Sequence, residues 1–110
     1  MYLLYVAVLA TERVHAVSEA FQRVGASGVV LVEASQFLHD RALREPMIAS
    51  IEHLLEGEEH AAFLFLAPLA DDEQVRQVVQ AVGEAIGGFG PSTGYAVSVP
   101  CQVHGIPPWG

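Results

Sequence analysis

The sequence predicts an α+β domain in which one four-stranded antiparallel sheet carries two helices on a single face. Its 110 residues, 52% of them apolar, suffice for one packed domain. Their patterning changes in the order strand, helix, strand, strand, helix, strand. No apolar run approaches the roughly 20 residues of a membrane-spanning helix. The single cysteine excludes a disulfide framework and fits a reducing cytoplasm, where we expect the protein to act.

The first half of the chain is predicted to form a strand, a helix and a second strand. Tyr2–Leu9 is continuously apolar, as in a strand that is buried on both faces. Thr11 is the predicted N-cap of a helix over Glu12–Val24, in which apolar residues recur at helical spacing before Gly25. Gly28–Ala34 is rich in β-branched residues, which predicts the second strand.

A long connection over residues 36–57 joins the second strand to the third. Pro46 suits a first helical turn and an apolar stripe follows it, so a short helix over Pro46–Glu56 is predicted within the connection. The apolar run Ala61–Ala67 is the third predicted strand.

The last part of the chain predicts a helix, a loop and a fourth strand. Asp71 and Gln74 form a capping-box-like pair, and an apolar stripe continues from there to Ile86. The loop Gly87–Gly94 is rich in glycine, and Tyr95–Val99 is the fourth strand. A Pro/Gly-rich tail occupies residues 101–110.

This element order is the split βαβ arrangement of a ferredoxin-like βαββαβ sandwich, here a single domain over residues 1–110. Two helices cover only one face of a four-stranded sheet. The first and third strands are nevertheless apolar at odd and even positions alike. Because monomers seldom expose apolar patches of that size, we expect a second copy of the chain to bury the other face.

The charge balance argues against two classes of partner. Acidic residues number 13 against five basic ones, for a net charge of −8, and all five cations are arginine. Binding to nucleic acid or to anionic membranes needs a basic surface. We therefore expect neither as a partner.

Several short motifs resemble a known family. Gly25 and Gly28 stand in a Gly-x-x-Gly turn between the first helix and the second strand. The long connection, the stretch Pro91–Gly94 and the end Val103–Ile106 follow in order. In these features, over nearly the whole chain, the sequence resembles the PII signalling family. It resembles short PII-like proteins more closely still.

The resemblance implies a homotrimer that senses nucleotides, usually ATP and ADP, in clefts between subunits. It implies that the connection, in the place of the family's T-loop, reports that state to an effector protein. Arg41 and Arg44 are the candidates in this effector loop to face a partner or an anionic ligand, and solvated loop charges are the alternative explanation. The glycine-rich loop stands in the place of the family's B-loop. The ligand-binding residues that the resemblance implies are Gln36, Gly87, Gly88, Gly90, Ser92, Thr93 and Gly94.

The sequence departs from the family where phosphates are bound. The family uses loop lysines and arginines after the fourth strand, whereas this chain has no lysine and carries Pro100–His104 there. Charge-assisted hydrogen bonds are roughly twice as strong as neutral ones. We therefore predict that ATP and ADP are not bound in the family's manner. The ligand is then a nucleotide held mainly by backbone amides, or an anion smaller than ATP. A helix C-cap and a turn are the alternative explanation of the loop.

Two other functions stay open. Cys101 and His104 have the spacing of half a metal site, so a metal-responsive trimer similar to CutA-type proteins is the alternative. A ferredoxin-like enzyme of the small dimeric monooxygenase kind is a third class. The chain has no nucleophile triad order, phosphate-binding loop motif or His-Glu-x-x-His motif. We therefore predict no catalytic residue and a non-enzymatic protein.

Overall fold

The computed structural model describes residues 1–37 and 59–105. Its elements, in chain order, are β1 (Tyr2–Val8), a 3₁₀ helix (Thr11–Arg13), α1 (Val14–Arg23), β2 (Val30–Phe37), β3 (Glu59–Leu69), α2 (Asp72–Ile86) and β4 (Gly94–Pro100). The predicted βαββαβ order is confirmed for this part of the chain. The short helix predicted over Pro46–Glu56 lies outside the described residues.

The four strands form one antiparallel sheet in the order β2-β3-β1-β4. In the pairing registers, Ala7 lies opposite Leu64 on β3 and Tyr95 on β4. On the far side of β3, Phe37 lies opposite Glu59. The last residue of β2 and the first of β3 are thus neighbours, so the connection leaves the sheet and returns to it at one point.

Alternate residues of the central strands point to the helices and close the core. Leu4, Val6 and Val8 of β1 are fully buried on this face. Phe21 of α1 stacks on Phe65 of β3, with ring centroids 5.1 Å apart. The other buried apolar residues of this cluster are Val17, Ala20, Ala67, Leu69, Val78, Ala81, Val82 and Ile86. The two helices therefore complete one face of the sheet, as predicted.

The first helix begins differently from the prediction. A 3₁₀ turn comes first, and no side chain caps it. The amides of Leu9 and Ala10 donate to the carbonyl of Thr93 at 2.9 and 3.1 Å, and the amide of Arg13 donates to Ala10 at 2.9 Å. These hydrogen bonds place Thr11 in the first turn. The prediction that Thr11 is an N-cap is therefore wrong, because a tertiary contact fixes where the turn begins.

The start of α2 follows the predicted capping pattern. The Asp71 carboxylate accepts a hydrogen bond from the amide of Gln74 at 2.9 Å. The Gln74 side chain accepts one in return from the amide of Ala70 at 2.8 Å. One amide of the first turn, which has no partner within the helix, and the amide just before the N-cap are satisfied in this way.

The strand boundaries differ from the predicted ones: β1 ends at Val8, one residue early, whereas β3 and β4 are longer than predicted. Gly28 has a positive φ of 73°, so it belongs to the turn and β2 begins at Val30. Strand β3 continues past the predicted end through Pro68 to Leu69. Proline is tolerated there because β2 pairs only as far as Leu66, which leaves the amide side of Pro68 without a neighbouring strand.

The opposite face of the sheet is apolar, and neither helix of the described ranges covers it. Tyr5 of β1 is 36% exposed, although the sequence predicts that β1 is buried on both faces. Other large apolar residues exposed on this face are Val30, Val32, Tyr95, Val97 and Val99. We call this surface the open face. None of the helices in the described ranges is long and apolar enough to cross a membrane.

Candidate ligand-binding site

A cavity of about 210 Å³ lies at the end of the sheet from which the connection leaves. All four strands contribute to it. Its lining consists of Ala7, Leu9, Ala34, Ser35, Gln36, Ala62, Phe63, Leu64 and Tyr95. None of these residues carries a formal charge. Within the described residues, the polar groups that the side chains bring to this lining are a hydroxyl, an amide and a phenol.

Gln36 brings the amide to this cavity. It lies one residue before the end of β2 and is half-buried. Strand pairing sets its position, because Gln36 lies opposite His60 at the start of β3. Among the described residues, no hydrogen bond joins the Gln36 side chain to another group.

Tyr95 lines the same cavity from β4. Its side chain is 56% exposed, so this wall of the cavity opens to solvent in the single chain. The preceding residue, Gly94, is the last of the glycine-rich loop. The structure therefore brings Gln36 and the end of that loop to one end of the sheet. Tyr95 was not among the predicted site residues, and its large aromatic side chain beside the loop was the available signal.

The first glycines of the loop end α2. Gly87 has a left-handed φ of 84°, and its amide donates to the Glu84 carbonyl at 3.2 Å. The amide of Gly88 donates to the Gly83 carbonyl at 2.8 Å. This pair of bonds is a Schellman C-cap. For Gly87 and Gly88 the geometry is thus that of the C-cap alternative, and both amides are occupied.

The rest of the loop is a turn held by its own hydrogen bonds. The amides of Gly90 and Gly94 donate to each other's carbonyls at 3.1 and 3.0 Å, and the amide of Thr93 donates to Gly90 at 3.2 Å. The Thr93 hydroxyl donates to the Gly88 carbonyl at 2.6 Å. Ser92 is exposed at the turn. Five amides that could have bound an anion therefore donate to backbone carbonyls.

Arg13 lies against the loop and was not among the predicted site residues. A Cβ built on Gly87 would lie 3.8 Å from its guanidinium Nη2. The side chain makes no ion pair with another described residue. A cation beside the C-terminus of a helix is favoured by the helix dipole. That explanation accounts for Arg13 without a ligand, and nothing in the local sequence indicated the contact.

The acidic residues near the start of α2 have structural roles. Asp71 caps the helix. A hydrogen bond from the Tyr2 phenol to Asp72 raises the pKa of Tyr2. A hydrogen bond to Glu73 likewise raises the pKa of the exposed Arg76. The Tyr2–Asp72 pair joins β1 to α2 at the end of the sheet opposite the cavity, whereas the other two contacts lie within the first turns of α2.

The remaining predicted site residues are the metal-ligand candidates after β4 and the two arginines of the connection. Cys101 is half-buried beyond β4, with its amide 3.1 Å from the Met1 carbonyl, and His104 is exposed. Within residues 1–37 and 59–105, no three His, Cys, Asp or Glu side chains form a group that could hold a metal ion. Arg41 and Arg44 lie outside the described residues, so their predicted role in the effector loop stays a prediction.

Comparison with known proteins identifies the fold of the chain. No family model matches the chain, and no curated protein matches it in sequence. Among solved structures, the chain is similar to the crystal structure of Arabidopsis thaliana PII bound to citrate. The TM-score is 0.61 at 17% sequence identity, over 92% of this chain and 77% of the plant protein. The resemblance inferred from the sequence is thus confirmed in three dimensions, and the chain has the fold of a PII protein.

Proposed function

We propose that this protein is a non-enzymatic, PII-like regulator that assembles as a homotrimer, binds a small ligand at the subunit clefts and relays its binding to a partner protein. The observation that carries the proposal is the open face, which is apolar on all four strands of a sheet whose other face is already covered. The PII-like fold supports a regulator of this kind.

The composition of the open face supports assembly of several copies of the chain. Val30, Tyr95 and Val97 are 53%, 56% and 47% exposed in the single chain. Among the residues whose side chains the structure describes, those on the open face all lack a formal charge: Leu3, Tyr5, Ala7, Val30, Val32, Ala34, Gln36, Ala62, Leu64, Leu66, Pro68, Tyr95, Val97 and Val99. Leaving such a face in water is unfavourable by roughly 25 cal/mol per Å² of apolar surface. Association of copies removes that cost, and closed rotational symmetry limits the assembly to a fixed number.

The position of the cavity supports ligand binding. It lies on four strands at the point where β2 ends and β3 begins. A ligand that contacts Gln36 therefore lies at the base of the connection over residues 36–57. A ligand bound at this position can order the connection. Ordering a segment is an established way to change its affinity for a partner. Arg41 and Arg44 would face that partner.

Light scattering tests the assembly. We expect a mass of about three times the 11.8 kDa of the chain. Val97→Asp introduces a charge on the open face and should give monomers with an unchanged circular dichroism spectrum. Val30→Asp makes the same change on β2. Gln80→Asp, at an exposed position of α2, is the matched control and should stay trimeric. A monomeric native protein, or variants that keep its mass, would contradict the proposal.

A deletion tests whether the connection is a reporting element. Phe37 and Glu59 are register partners, so an Asn-Gly turn in place of residues 38–58 would close a hairpin between β2 and β3. We expect this variant to stay trimeric. Loss of the trimer would mean that the connection holds the assembly together.

A further inference from the structure

We infer that the C-terminal tail, residues 106–110, folds back along the edge of β4 and that Trp109 packs into a groove between α2 and β4 of its own chain. This docking goes beyond the proposed function and does not depend on it. Tyr95 lines both this groove and the Gln36 cavity, so the docked tail lies against a wall of the candidate site.

The groove is an apolar depression beside β4, which is an edge strand of the sheet. Its volume is about 360 Å³, and its lining consists of Leu4, Val79, Phe89, Tyr95, Ala96 and Ser98. Two of these side chains are aromatic and exposed, Phe89 to 41% and Tyr95 to 56%. Because a protein cavity of about 150 Å³ can hold benzene, the groove has room for an indole ring.

Phe89 is fixed in place although much of its ring is exposed. The ring lies against α2 at Gly83, where a Cβ would stand only 3.1 Å from Cε2 of Phe89. The missing side chain at Gly83 is therefore what lets the ring lie on the helix. Exposed apolar surface is unfavourable by roughly 25 cal/mol per Å². The outer face of the ring is thus a platform on which a second aromatic group packs favourably.

The tail has the composition that such a groove binds. It reads Ile106-Pro107-Pro108-Trp109-Gly110. Proline-rich segments lose little conformational entropy on binding, and they dock in grooves lined by aromatic side chains. Because proline has no amide donor, such a segment covers the edge of a strand without extending the sheet. The tail therefore suits both the aromatic groove and the edge of β4 beside it.

The chain has enough length to bring Trp109 back to the groove. Residues 106–110 lie outside the described residues, but Cys101 is anchored at the end of β4, where its amide donates to the Met1 carbonyl at 3.1 Å. The eight residues from there to Trp109 span at most about 26 Å, whereas Ala96 lies about 17 Å back along the strand. Gly105 has a left-handed φ of 93°, which is typical of a turn. So short a tether favours the groove of the same chain.

Fluorescence of the full-length protein tests the docking directly, because Trp109 is the single tryptophan of the chain. We expect its emission maximum to lie at a shorter wavelength than that of a free peptide of residues 106–110. Acrylamide should quench it at least about threefold less than the peptide, since a packed indole is shielded from solvent. Emission and quenching equal to those of the peptide would overturn the inference.

Variants of the groove test where Trp109 packs. Phe89→Asp replaces the exposed ring by a charge, and Ser98→Arg fills the groove from an exposed position of β4. Both should raise the quenching of Trp109 to that of the peptide, with an unchanged circular dichroism spectrum. Gln80→Asp, at an exposed position of α2 outside the groove lining, is the control and should keep the native quenching. Native quenching in Phe89→Asp would place Trp109 elsewhere and overturn the inference.

A mixed sample decides whose tail occupies the groove. The Phe89→Asp protein, which keeps Trp109, is unfolded and refolded together with an excess of the Trp109→Phe protein, which keeps the groove. We expect Trp109 to stay exposed in this mixture, because it packs only in the groove of its own chain. Protection of Trp109 in the mixture would assign the groove to the tail of a second copy and overturn docking within one chain.

Light scattering on the same samples separates this inference from the proposed function. A trimer whose Trp109 is as exposed as the peptide overturns the docking alone. A monomer whose Trp109 is protected overturns the proposed assembly and leaves the docking supported.

Discussion

The two faces of the sheet are both apolar, but the chain itself closes only one of them. Under the helices, Leu4, Val6 and Val8 of β1 are 0% exposed. On the open face the intervening Tyr5 is 36% exposed, and Val97 beside it on β4 is 47% exposed. Hydrophobicity therefore does not by itself tell whether a residue belongs to the core of one chain or to a contact between chains.

The covered face should dominate the stability of the single chain, and Phe21→Ala is the most severe test. The ring is 2% exposed and stacks on Phe65. Its removal should lower the free energy of unfolding by about 3–5 kcal/mol, because of lost transfer energy and the cavity left behind. Urea unfolding followed by circular dichroism measures this. Leu31→Ala, at a position 49% exposed, should cost less than about 1 kcal/mol. Equal losses of stability in Phe21→Ala and Leu31→Ala would contradict the conclusion that the covered face dominates the stability of the single chain.

Gly94→Ala tests how tightly the glycine-rich loop is fixed to the covered face. A Cβ there would collide with the carbonyl oxygen of Ala7 and approach Cδ1 of Ile86 to 2.9 Å. The φ of 146° is also unfavourable for alanine. We expect a loss of at least about 2 kcal/mol, measured by the same urea titration. Gly25→Ala is the matched control, because φ is positive but no atom lies within 4 Å. It should cost only about 1 kcal/mol.

Asp71→Ala addresses the start of the helix that closes the covered face. The substitution leaves the amide of Gln74 without its 2.9 Å partner, so it should cost about 1 kcal/mol. Thermal unfolding should show a lower midpoint. Asp71→Asn keeps an acceptor and should restore most of the loss. If Asn is as damaging as Ala, the carboxylate acts through its charge and not as a cap.

The smallest expected effect is at the other end of the covered face, where Tyr2 donates to Asp72. The hydrogen bond favours the protonated phenol and raises the pKa of Tyr2 above its ordinary value, which is about 10. The stabilisation is therefore present below pH 10 and is lost as the pH rises through the raised pKa. In a pH titration followed by absorbance at 295 nm, Tyr2→Phe should lose an absorbance change that occurs above about pH 10. An unchanged titration curve above that pH in Tyr2→Phe would refute the assignment.

The comparison also explains which predictions from the sequence succeeded. Helical spacing and the Asp71–Gln74 pair indicated α2 correctly, because these signals are local. Thr11 was misassigned because Thr93, which is 82 positions later, fixes the turn before it. The end of β3 was misplaced because the effect of Pro68 depends on which neighbouring strand reaches it.

The candidate site was predictable only in part for the same reason. Gln36 and the glycine-rich loop were identified through a family resemblance, and the fold brings them to one end of the sheet. The amino-acid composition does not show whether the loop amides are free, because that depends on φ angles and hydrogen bonds. Tyr95 and Arg13 were missed because their neighbours are distant in sequence.

The sequence by itself determined the order of the elements, the apolar character of both sheet faces and the absence of lysine from the chain. Periodicity and composition are properties of short segments, and they carry that information directly. The tertiary structure alone decided that the loop amides donate to backbone carbonyls, that Arg13 lies against Gly87, and that Gln36 and Tyr95 line one cavity. Each of these depends on contacts between residues far apart in the chain, whose formation is decided by the folding of the whole sheet.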